Sequence, residues 1–222
     1  AGGLEIGIFD IETEDYRQVA RLEGDPKALR INCGGAAPDG SFWFATMDSE
    51  EKAARSTWHR IDTGRKITQL KIPPVIIPST ACFSPAGDVF YTADTTEQEI
   101  LSFDVGEGGA LSNRRVFCTT SAGAGYPDGS AVDRDGYLWN AEWDGARIVR
   151  YRPDGAVDRV IAMPTVRPTG CCFGGDDMRT LYVTTARTGL TSFQMDTQPF
   201  AGSLFAIRTA SAGLQVAEWK GR

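Results

Sequence analysis

Four short segments of this 222-residue chain place polar side chains just ahead of an apolar strand. They are Arg30-Ile31-Asn32-Cys33-Gly34, Pro78-Ser79-Thr80-Ala81, Pro127-Asp128-Gly129-Ser130 and Pro168-Thr169-Gly170-Cys171. Each precedes a Gly/Asp turn by six to nine residues, so the four are equivalent positions. Asp128 is the only carboxylate among them. A lone acid beside amide and hydroxyl groups suits a hard divalent cation that keeps water in its other positions. Such a water can be activated for hydrolysis while the metal polarises a carbonyl. Taken as a tripeptide, Pro127-Asp128-Gly129 is equally a turn, as Pro38-Asp39-Gly40 and Pro153-Asp154-Gly155 are. Arg30 and Asn32 alternate along an extended segment and so point the same way. They read either as a hydrogen-bonding pair for hydroxyls or a carbonyl, or as residues that close a loop.

Other chemistries are poorly supplied. His59 is the single histidine and lies in an alternating strand, far from any serine or cysteine in a nucleophile motif. A Ser-His-Asp or Cys-His triad is therefore not expected, and His59 reads as a surface strand residue. There is no P-loop, dinucleotide fingerprint or HExxH. Trp43, Trp58, Trp139 and Trp143 fall near strands and read as packing. The five cysteines are odd in number and form no CxxC pair. They predict reduced thiols in a cytoplasmic protein rather than a disulfide framework. Adjacent Cys171 and Cys172 point to opposite faces of a strand and cannot share an ion. The net charge of −6 and dispersed basic residues argue against nucleic acid as a partner. No apolar run approaches a membrane span, and the first five residues show no signal-peptide pattern, so no membrane partner is expected.

The elements that position these residues repeat. A turn carrying Gly and Asp, then an apolar-aromatic strand, occurs at 38–47, 85–94, 134–142 and, more weakly, 175–185. The turn markers Gly40, Gly87, Gly136 and Asp177 are spaced by 47, 49 and 41 residues. A second strand follows each, at 56–62, 99–104, 146–151 and 202–208, and residues 3–10 resemble one of these. A period of 40 to 50 residues with several strands per unit is a propeller signature. The expected fold is all-β, with four-stranded antiparallel blades and no helix of 12 residues. The chain reads as one domain over 1–222, holding about five blades at about 45 residues each. Because residues 4–10 look like an outer strand without inner partners, one or more N-terminal blades are expected to be missing from it.

At these residues the chain resembles the SMP-30/gluconolactonase/regucalcin family of six-bladed propellers. Residues 30–47 are similar to that family's RxNDGxxDPxGRxWxGTM segment. Residues 77–85 are similar to IPNGLAFSPD, residues 127–133 to PDGxxxD, and residues 167–187 to PTxCxFGGxxxxxLYVTxAR. The resemblance implies a sugar-acid lactonase, acting on an aldonolactone such as gluconolactone, or a calcium-binding relative without turnover. It implies one divalent ion, calcium or zinc ahead of manganese or magnesium. Asp128 would be metal ligand and base, and Ser79 stands where the family has a metal-binding Asn. A further acidic ligand of the family, from a GEGPxW segment, has no counterpart here. Arg30, Asn32 and Glu50 match substrate contacts, and Cys33 replaces the Asp that follows the Asn. A monomer or weak homodimer that takes a small sugar lactone is the implied protein.

Overall fold

In the computed structural model, which describes residues 3–120 and 124–221, each of the nine segments read as strands forms one. Strands β1 (Glu5–Phe9) and β2 (Tyr16–Arg21) pair as a ribbon. Strands β3 (Leu29–Ala36), β4 (Phe42–Asp48), β5 (Thr57–Ile61) and β6 (Ile67–Gln69) make a four-stranded antiparallel meander. So do β7 (Pro78–Phe83), β8 (Val89–Asp94), β9 (Glu99–Val105) and β10 (Leu111–Thr119). A third set is β11 (Tyr126–Val132), β12 (Leu138–Trp143), β13 (Arg147–Tyr151) and β14 (Val157–Ala162). Strands β15 (Pro168–Gly174), β16 (Thr180–Thr185) and β17 (Leu204–Arg208) form a three-stranded sheet. These are blades of the β-propeller type.

Residues Ala1–Pro78 with Ala217–Arg222 form one compact unit, and Ser79–Val216 a second. In the first, the chain end lies against the β3–β4 turn: the Lys220 amide donates to the Gly40 carbonyl at 2.9 Å.

Strand composition explains the layering. Second strands such as β4 and β12 are buried on both faces, which is why Phe42–Met47 and Leu138–Ala141 are mostly apolar, with the polar Thr46 and Asn140 buried among them. Fourth strands such as β14 are largely exposed and carry charge. In the second unit, Tyr91 and Ile100 pack with Leu138 and Tyr151, while Trp139 and Ile148 pack with Phe173 and Leu181. Trp43, Trp58 and Trp139 are each 1% exposed, as packing residues should be.

The turns between first and second strands need left-handed backbone. Gly40, Gly87 and Gly136 have φ of 82°, 74° and 83°, and each amide bonds back three residues. In the fourth repeat that place belongs to Met178, φ 55°, rather than to Asp177.

Asp133 ties the third sheet together. It is fully buried and accepts from the amides of Asp135 and Tyr137, from Trp139 Nε1 at 2.9 Å, and from Arg150 at 2.7 and 3.0 Å. Arg150 also reaches Asp158 at 2.8 Å and lies over Tyr137. The alternating basic residues of β13 are thus partly structural: Arg147 holds the buried Glu142 at 2.6 Å.

One local reading changes. His59 is half-buried, stacked on Phe44 and bonded to Thr57 Oγ1 at 2.8 Å, because the outer strand β6 covers its sheet edge. A short helix α1 (Ser192–Thr197) has a capping box between Thr191 and Gln194. Among the described residues no helix is long and apolar enough to cross a membrane.

Candidate active site

Bulges at the starts of the first strands set the candidate side chains. In β11 the ladder with β12 slips between Pro127 and Ser130, leaving Asp128 and Gly129 out of register. In β15 it slips between Pro168 and Gly170, releasing Thr169. In β3 it slips between Ile31 and Cys33, releasing Asn32. An unpaired residue in a bulge is re-aimed away from the ladder. Three of the four positions that the sequence marks as equivalent therefore share this backbone geometry.

Within the second unit, Asp128 is half-buried. Loss of water pushes its carboxyl up to about 7, against a smaller opposing pull from the Gly129 amide. Among the described residues no basic side chain pairs with it. Gly129 is not a turn glycine. Gly40 and Gly155 are left-handed, at φ 82° and 83°, and Gly129 is not. A Cβ at Gly129 would instead lie 2.8 Å from Gly170 Cα and 2.9 Å from the Thr169 carbonyl. Two backbones pass too closely there for a side chain. This separates Pro127-Asp128-Gly129 from the two Pro-Asp-Gly turns it resembles in sequence.

Ser79, at the head of β7, is 1% exposed. Its hydroxyl donates to the Pro127 carbonyl at 3.1 Å and meets Thr95 Oγ1 at 2.8 Å. Thr95 donates to the same carbonyl at 2.8 Å. Next to it, Thr80 donates to the Asp128 carbonyl at 2.6 Å and meets Ser130 Oγ at 2.7 Å. Asn140 Nδ2 donates to both of those groups at 2.9 Å. The structure thus joins Ser79 and Thr80 to the Pro127 and Asp128 backbone carbonyls.

The donor chemistry tests the implied metal. Asp128 offers a partly desolvated carboxylate with no counter-charge among the described residues, which fits a hard cation. Ser79 fits less well, since it is buried and its hydroxyl is already engaged. No group of three or more His, Cys, Asp or Glu is placed to hold an ion among the described residues.

Within the first unit, Arg30 Nη1 donates to Asn32 Oδ1 at 2.5 Å, and Asn32 Nδ2 donates to the Pro78 carbonyl at 2.8 Å. The two side chains do point the same way. Arg30 also binds Glu51 at 3.0 Å. Glu50 turns away to pair with Lys52 at 3.1 Å on the surface. Buried Asp48 fixes this loop by accepting from the Lys52 and Ala53 amides at 3.0 and 3.1 Å. Glu51 adopts a left-handed φ of 58°, which no sequence pattern announced.

Cys171 Sγ donates to the Trp139 carbonyl at 3.3 Å and lies 3.9 Å from the Gly129 carbonyl. Four thiols are half-buried and Cys172 is exposed. Burial pushes Cys118 and Cys171 up to about 12 and Cys82 higher still.

Residues 2–187 match the family described as "SMP-30/Gluconolactonase/LRE-like region". The chain belongs to this family. Among its relatives is the L-arabinolactonase of Azospirillum brasilense, 35% identical over 97% of this chain and 72% of that protein. Another is the 6-deoxy-6-sulfogluconolactonase of Pseudomonas putida, 32% identical over 95% of this chain and 73% of that protein. A crystal structure of the calcium-binding protein regucalcin from Agrobacterium tumefaciens superimposes with a TM-score of 0.90. It is 27% identical, over 96% of this chain and 72% of that one. Both lactonases and a calcium-binding protein thus stand among the relatives of this SMP-30/gluconolactonase-family chain.

Proposed function

We propose that this protein hydrolyses a sugar-acid lactone to the open acid, with Asp128 as general base. The observation that carries the reading is the Asp128 carboxylate: set on a bulge, partly desolvated and, among the described residues, without a counter-charge, in a family whose named members include lactonases. A carboxyl that titrates near 7 is matched to proton abstraction at neutral pH. Asp128 takes a proton from an attacking water as its oxygen bonds to the lactone carbonyl carbon. The ring C–O bond then breaks, and the ring oxygen takes up a proton. A divalent cation held at Asp128, calcium or zinc, would polarise that carbonyl when bound. Arg30 and Asn32 would orient ring hydroxyls, with Glu51 bracing Arg30 and Glu50 beside it. Six blades of this kind, in one domain, are part of the same proposal, supported by the 41- to 49-residue repeat.

The test is an aldonolactone panel followed with a pH indicator, with metal titration. Asp128→Ala is expected to abolish turnover and keep the fold; wild-type activity in that variant sinks the mechanism. A second reading, a calcium- or sugar-binding propeller without turnover, draws on the engaged Ser79 hydroxyl. Under it, Ser79→Asn should raise metal affinity where wild type shows little.

A further inference from the structure

Thr80 is a β-branched residue, 2% exposed, with φ of 61°. Left-handed backbone at such a residue is a genuine outlier, costing about 1–3 kcal/mol. It lies inside β7, where no turn requires it. A second local penalty sits one sheet away. Asn140 is fully buried, and among the described residues nothing donates to its Oδ1; a buried acceptor left so costs about 1–3 kcal/mol.

The proton directions join these two anomalies. Thr80 donates to the Asp128 carbonyl, so its oxygen is left to accept from Ser130. Ser130 in turn accepts from Asn140 Nδ2, whose other hydrogen goes to the Asp128 carbonyl. Turning the Asn140 amide over would face its oxygen against that carbonyl and leave Nδ2 at the place where Oδ1 now meets no donor among the described residues. The network has one consistent polarity, and both of its carbonyl-directed donors end on the Asp128 peptide. The left-handed turn at Thr80 sets that residue's hydroxyl 2.6 Å from this oxygen.

We infer that Thr80 and Asn140 are positioning residues that clamp the Asp128 peptide and so aim its carboxylate across the bulge. Neither is a metal ligand or a base. The inference rests on the lactonase reading for its kinetic arm only.

Thr80→Gly removes the clamp while suiting the left-handed backbone. It is expected to lower kcat for lactone hydrolysis about ten- to a hundredfold, the scale of a misaimed catalytic group, with KM changed less than about threefold. Thr80→Ser restores the hydroxyl and is expected to rescue most of that loss; Thr80→Val is expected not to. An arm independent of activity is the amide NMR spectrum, in which Thr80→Gly and Asn140→Ala should both shift the Gly129 and Ser130 resonances. Wild-type kcat in Thr80→Gly, a serine variant as slow as the glycine one, or a Gly129 resonance unmoved in both variants overturns the clamp. A wild-type chain inactive on every lactone tested would count against the lactonase reading instead, and the NMR arm would still decide the clamp.

Discussion

Replacing Asp128 by Asn should change how stability depends on pH. The carboxyl rises from an ordinary 3.8 to about 7 in the folded chain. The folded state therefore holds this proton more tightly than the unfolded one. The resulting stabilisation is fully present below about pH 4 and is lost as pH climbs through about 7. At about 1.4 kcal/mol per pH unit the span of roughly three units gives about 4 kcal/mol. Asp128 is only half-buried, so screening should leave about half of that, near 2 kcal/mol. For a chain of this length, that is about 4–8 °C in Tm. Asn is nearly isosteric and never ionises, and its Oδ1 can still accept from the Gly129 amide. The assay is thermal unfolding of wild type and Asp128→Asn between pH 4 and 8 in chelator. The two should converge at pH 4, with the variant more stable by several degrees at pH 8. Added divalent cation should narrow the gap by stabilising the wild-type carboxylate. Parallel curves across that window would refute the claim that Asp128 is desolvated and unpaired.

Asp133→Ala should destabilise by about 3–5 kcal/mol, because it leaves the buried side of Arg150 and the Trp139 Nε1 donor without their acceptor; urea unfolding measures it, and a loss under 1 kcal/mol would contradict the tie. In the first unit, Glu51→Gln should raise KM severalfold with kcat little changed, since Glu51 braces Arg30, while Glu50→Gln should do less. Steady-state kinetics on both variants checks this, and the reverse order would show that Glu50 moves onto substrate.

Much of the architecture was legible because it is written in composition. Strands such as Phe42–Asp48, buried on both faces, and their turns with Gly and Asp repeat at a period that only a few folds use. The fourth turn was misplaced by one residue because Met178 occupies the left-handed position where the other repeats have glycine. Helix α1 was missed although Thr191 and Gln194 spell a capping box, since six residues carry too little periodicity to notice. The Glu50–Glu51 ambiguity is of another kind. Adjacent acids on a loop differ only in backbone dihedrals, and the left-handed φ at Glu51 leaves no trace in residue type.

The candidate site shows why position in the ladder matters more than the tripeptide. Three Pro-Asp-Gly sequences occur in the chain, and two are turns whose glycines are left-handed. The third has its glycine pressed against Gly170, so the acid before it belongs to a strand start and not to a hairpin. The sequence could hint at this through order along the chain, but the bulge that releases Asp128 depends on pairing with β12. The same holds for Thr80. Set against the IPNGLAFSPD pattern, Ser79 stands in place of an asparagine. Its neighbour departs too, with threonine opposite a glycine, the residue that takes left-handed backbone at no steric cost. A threonine in left-handed backbone needs something from its side chain, and among the described residues the acceptor that Thr80 reaches outside its own strand, other than Ser130, is the peptide that carries Asp128.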